Sequence, residues 1–168
     1  MNISIIEYFF PKETILIDFD FRNETFVNRF REYIDYDRGY FSDEFFNSKK
    51  EYLGKINSTE FVVRKKRKFM NLSISSSYAK GNISEYENST SLEIELNGND
   101  EFNAFGKIAA HLFFLILFVV IIVNGIYPLL ILFIPLSVAF LTFVHFMQIR
   151  KTKKFKKNLM NILNGLRN

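Results

Sequence analysis

The sequence predicts an α+β membrane protein: a small antiparallel β-sheet domain with one or two helices, then a two-helix transmembrane hairpin, then a short basic amphipathic helix. Three observations predict it. Ile108 to Ile149 is a run of 42 residues without a single Lys, Arg, Asp or Glu. Charge divides unevenly about that run, with 14 Lys and Arg against all 18 Asp and Glu before residue 104, and seven basic and no acidic residues from 150 to 168. The first hundred residues switch between helical and alternating periodicity, with Asn and Gly at the switches. The expected domains are 1–103, 104–149 and 150–168.

In the first domain, ETILIDFDF puts Ile15, Ile17, Phe19 and Phe21 on one face and Leu16, Asp18 and Asp20 on the other, the alternation of a half-buried strand. Asn23 is a suitable N-cap for a helix whose face carries Phe26, Val27, Phe30, Tyr33 and Ile34, covering residues 23 to 36. A short second helix is expected from Ser42, with Phe41 and Phe46 in staple positions. Beyond Tyr52, YLGKINSTEFVVRKK and AKGNISEYENSTSLEIELNG read as hairpins, the first turning near Asn57-Ser58-Thr59. They share a G-x-I start, Gly54-Lys55-Ile56 and Gly81-Asn82-Ile83. Four or five antiparallel strands follow, with the 23–36 helix on one face.

The apolar run would be about 63 Å long as one helix, roughly twice the ~30 Å hydrocarbon thickness of a bilayer. Asn124, Gly125 and Pro128 supply the break: Gly and Asn end helices, and Pro begins them. Two spans are expected, about 107–124 and 126–148. Pro135 frees a backbone carbonyl inside the second, and Ser137 or a neighbouring helix is expected to satisfy it. A domain of about a hundred residues is too small to wrap two helices that are apolar all round, which excludes a soluble core hairpin. The basic residues that follow the second span, against an uncharged turn, keep both termini cytoplasmic in a plasma (inner) membrane. MNISIIEYFFPKE lacks a basic n-region, so secretory export of the first domain is not expected.

In the tail, Phe155, Leu159, Ile162, Leu163 and Leu166 fall on one helical face behind Lys153, Lys154, Lys156 and Lys157. The expectation is a helix lying on an anionic leaflet.

A small β-rich domain with paired G-x-I hairpins beside a two-span hairpin resembles a group of uncharacterised small bacterial membrane proteins. The resemblance implies the architecture and carries over no catalytic residues.

Chemistry is sparse. Cysteine is absent, removing disulfides, thiolate metal sites and thiol nucleophiles. Carboxylate pairs such as Asp18 and Asp20, or Glu93 and Glu95, have no histidine in their domain and read as solvated strand faces. Six N-x-S/T sequons, at Asn2, Asn23, Asn57, Asn71, Asn82 and Asn88, read as coincidence on a cytoplasmic domain. No catalytic residue, metal or cofactor is expected. Arg64, Lys65, Lys66, Arg67 and Lys68, with Arg150, Lys151, Lys153, Lys154, Lys156 and Lys157, are the expected contacts to anionic lipid headgroups. Nucleic acid is disfavoured because only Phe69 adjoins the basic run. His111 and His145 are expected to make polar contacts between the helices. The expected function is a membrane-anchored interaction or regulatory domain, not an enzyme, with membrane lipids and either a protein partner or a second copy through the hairpin as partners. The alternative is an oligomeric pore-forming or transport-related subunit.

Overall fold

The computed structural model describes residues 8–38, 48–66, 77–99 and 101–167, with the side chains of 101 and 102 left aside. The expected helix from Ser42, Arg67 and Lys68 of the basic run, and Asn2 and Asn71 lie outside the described residues.

Six strands form one sheet: β1 (Lys12–Phe19), β2 (Ile34–Tyr36), β3 (Tyr52–Ile56), β4 (Glu60–Lys65), β5 (Tyr78–Tyr86) and β6 (Ser89–Asn97), in the order β1-β6-β5-β4-β3-β2. Every pairing is antiparallel except β2 with β3, so the sheet is mixed where an all-antiparallel one is expected from sequence. The difference comes from the first helix. Helix α1 (Asn23–Arg31) ends before Tyr33, and Ile34 continues the apolar pattern as the first residue of β2. Asn23 does not cap α1: Arg22 holds that position, and the buried Asn23 amide donates to the Ser58 carbonyl of the β3–β4 turn.

Both expected hairpins are present. Asn57 Oδ1 accepts from the backbone N–H groups of Thr59 (2.8 Å) and Glu60 (2.7 Å), an Asx turn that reverses β3 into β4. The G-x-I echo has a packing reason. Gly81 pairs with Phe61, and a Cβ on Gly81 would fall 2.1 Å from a Phe61 ring atom, so the missing side chain makes room for the ring. Alternation then gives one buried sheet face, built from Ile17, Phe19, Leu92, Ile94, Leu96, Ala79, Ile83, Phe61 and Val63. Phe26 and Phe30 of α1 cover part of it, with Phe30 and Phe61 ring centroids 5.1 Å apart.

Two long helices follow, α2 (Glu101–Val123) and α3 (Leu130–Gly165), joined through a 3₁₀ turn at Tyr127–Leu129. Gly125 ends α2 in the left-handed region (φ 69°). Its N–H donates to the Ile122 carbonyl (3.0 Å) and that of Ile126 to the Ile121 carbonyl (3.1 Å), a Schellman closure. α3 runs unbroken through Pro135. Ser137 Oγ donates to the Ile134 carbonyl (2.9 Å), not to that of Ile131 four residues before the proline, so the expected compensation is not made by this hydroxyl. Both helices are long and apolar enough to cross a membrane.

The tail differs most from expectation. It is helical, but it is the last four turns of α3, and its apolar face lies on the sheet. Phe155, Leu159, Leu163 and Leu166 join the same core as Ile17 and Phe61, with Phe155 and Tyr52 ring centroids 6.2 Å apart. The boundary expected at residue 150 is therefore no boundary in the chain's packing. Each of these side chains contributes roughly 2 kcal/mol through burial, and placing them on lipid would uncover the sheet beneath. Polar contacts fix the helix at both ends of this stretch: Thr152 Oγ1 lies 3.0 Å from Ser77 Oγ, Lys156 pairs with Glu13, and Arg167 donates to the Asp18 carbonyl (2.9 Å).

Candidate functional site

The polar side chains of greatest interest converge where α2 and α3 leave the sheet domain. Lys107, one turn before His111 on α2, is buried. Its Nζ donates to the Tyr8 carbonyl (2.6 Å) and to Gln148 Oε1 (3.0 Å), and lies 3.4 Å from His145 Nδ1. Three donors thus meet three neutral acceptors. The Tyr8 ring covers the ammonium at 3.6 Å from its centroid, a cation–π contact.

The two histidines flank the same tyrosine. His111 Nδ1 donates to the Lys107 carbonyl (2.7 Å), leaving Nε2 facing the Tyr8 hydroxyl at 3.5 Å. His145 stacks on the Tyr8 ring at 4.7 Å and 27°. Burial pushes the Tyr8 hydroxyl above its ordinary pKa. Tyr8 thereby joins two helices about a hundred residues away in sequence.

Beside this cluster a cleft of about 210 Å³ opens between the helices. Asn99, Asn103, Lys107, Gln148 and Lys151 line its domain end. Gly106, Ala110, Phe140, Leu141 and Val144 line the rest. The Gly106 and Ala110 pair, a small-xxx-small spacing suited to close helix packing, borders space instead: a Cβ on Gly106 would meet no atom within 4 Å.

The basic run does not form one outward face. Arg64 is buried with its guanidinium gripped by Asp37, Nε to Oδ2 and Nη2 to Oδ1 both at 2.7 Å, so it is withdrawn from any headgroup. Lys65 pairs with Glu51, and Lys66 Nζ donates to the Ser48 carbonyl (3.2 Å). On α3, Arg150, Lys153, Lys154 and Lys157 are exposed, Lys151 lines the cleft, and half-buried Lys156 is held by Glu13. Among the described residues, no three His, Asp or Glu side chains gather as a metal site.

Sequence reasoning missed Tyr8, Lys107 and Gln148 as a cluster. A usable signal existed in Lys107, the one Lys or Arg between residues 81 and 149, four residues before His111 and so on the same helical face. No family model, curated protein or solved structure matches this chain.

Proposed function

We propose that the chain is an integral membrane protein in which α2 and the first part of α3 cross the bilayer, both chain ends and the sheet domain lying on the cytoplasmic side. The observation that carries this reading is the apolar surface that the fold leaves uncovered. Val123 is 78% and Ile131 81% exposed, and large apolar side chains stand exposed along both helices between them and the domain. Monomeric soluble proteins rarely expose a continuous patch beyond a few hundred Å². Dimensions agree: α2 has 23 residues and the uncharged start of α3, Leu130 to Ile149, has 20, about 30 to 35 Å each. The turn between them carries no charge, whereas Lys107 and the cations from Arg150 onward stand at the domain end, which the positive-inside rule assigns to the cytoplasm.

The unbroken α3 gives this anchor a further consequence. Its apolar half would lie in lipid while its last turns form part of the sheet domain's core, so the domain cannot tumble on a flexible tether. It is held at one attitude to the bilayer surface, with the polar sheet face of Lys55, Lys80, Glu93 and Asp18 turned to solvent. A rigidly presented polar face supports action through contacts with a protein partner rather than chemistry.

Alkaline carbonate extraction of membranes tests the anchoring. The full chain is expected in the pellet, and its release into the supernatant would contradict the reading. Photo-crosslinking from position 80 in native membranes tests the contact role; reproducible adducts are expected, and a position that crosslinks to nothing would count against it.

A further inference from the structure

Lys107 presents an unresolved charge. Its three donors are matched, but by a carbonyl, an amide and an imidazole, and among the described residues no acidic side chain lines the cleft. A buried cation without a counter-charge is costly, and an anion beside it offsets that cost. Gln148, 4% exposed, has a second unmet need: its Oε1 is taken by Lys107, and its Nε2 has no hydrogen-bond partner among the described residues. Lys151 adds a second positive charge one turn further along α3. The domain end of the cleft therefore asks for an anionic oxygen acceptor.

The other end asks for hydrocarbon. Beyond Lys107 the lining is apolar, Ala110 on α2 and Val144, Leu141 and Phe140 on α3, and Gly106, level with Lys107, leaves the cleft open between the two ends. Polar and cationic at the domain end, apolar toward the uncharged turn, the cleft has the polarity profile of one phospholipid. We infer that it binds a single anionic phospholipid, its phosphate near Lys107, Gln148 and Lys151 and an acyl chain running past Gly106 along Ala110, Val144 and Leu141. A free phosphate would satisfy only the polar end. The inference rests on the membrane reading above, because only a spanning hairpin presents this cleft at headgroup depth.

Native mass spectrometry of the full chain, purified in detergent and supplied with equal phosphatidylglycerol and phosphatidylcholine, tests it. One phosphatidylglycerol is expected to be retained with at least tenfold preference. Gly106→Leu, which fills the open middle of the cleft, and Lys151→Ala, which removes a charge at its domain end, should each reduce that preference at least threefold, with circular dichroism confirming the fold. Lys80→Ala, on the exposed sheet face, should leave it unchanged. Equal retention of the two lipids, a preference that survives Gly106→Leu, or an equal loss in Lys80→Ala would overturn the inference. Wild-type protein that stays monomeric and soluble after detergent removal would instead overturn the membrane reading itself.

Discussion

Lys107 Nζ donates to Gln148 Oε1 across 3.0 Å, and both side chains are buried where α2 and α3 meet the sheet domain. The bond clamps the two helices at one end, while Phe114 packs on Phe133 and Phe140 further along and the turn at Gly125 joins the other ends. Gln148→Leu leaves the ammonium one acceptor short and should cost about 1 to 3 kcal/mol. Lys107→Met should cost a similar amount alone. Because the two side chains serve each other, the double variant should be milder than the sum by about 1 kcal/mol, measured as a double-mutant cycle of thermal unfolding in detergent.

Leu163 is fully buried against the sheet. Leu163→Ala should therefore destabilise the domain by about 2 to 5 kcal/mol, the cost of a core cavity. Lys157→Ala, on the exposed face of the same helix, should change stability by less than about 0.5 kcal/mol. Urea unfolding followed by circular dichroism separates the two. A tail that lay on lipid would give small effects at both positions.

That contrast shows how far the sequence could be read. The hairpins were legible because Asn57 and the Gly81 position have local reasons, an Asx turn and room for a ring. The stripe from Phe155 to Leu166 was legible as an apolar helix face, but periodicity states only that something apolar covers it. Lipid and the domain's own sheet satisfy the same pattern, and the choice depends on contacts with strands more than fifty residues away. β2 was hidden for another reason: three residues after α1 continue its spacing, so Ile34 fits either element. The Tyr8 cluster was least legible, since its members are separated by 99 and 41 residues around Lys107.

Arg64 and Asp37 form a two-point ion pair, with the guanidinium side chain 4% exposed. Asp37→Ala strands that buried charge and should cost about 3 kcal/mol. Lys65→Ala, at an exposed neighbour paired with Glu51, should cost less than about 1 kcal/mol. The same unfolding assay distinguishes a structural arginine from one that merely belongs to a basic surface.

Two carboxylates give the domain an acid limb. Ser48 Oγ donates to Asp35 Oδ2 (2.5 Å) with Lys50 nearby, and Asn97 Nδ2 donates to Glu95 Oε1 (2.8 Å) beside Lys12; each carboxyl is held below its ordinary pKa. A folded value below the unfolded one gives stability that is present above the ordinary carboxylate range and is lost as pH falls through the folded value. Both groups are more than a third exposed, so the slope is shallow. The melting temperature should fall gently from about pH 5 to about pH 3, and Asp35→Asn with Glu95→Gln should flatten that fall.

The most direct test of the account is the side of the membrane on which each part of the chain lies. The chain has no native cysteine, so single cysteines placed at Tyr127 and Lys80 report without background. With a membrane-impermeant maleimide applied to intact cells, Tyr127→Cys should be labelled and Lys80→Cys should be labelled only after permeabilisation. Labelling of both positions from the same side would contradict a hairpin that crosses the bilayer twice and returns α3 to the sheet domain.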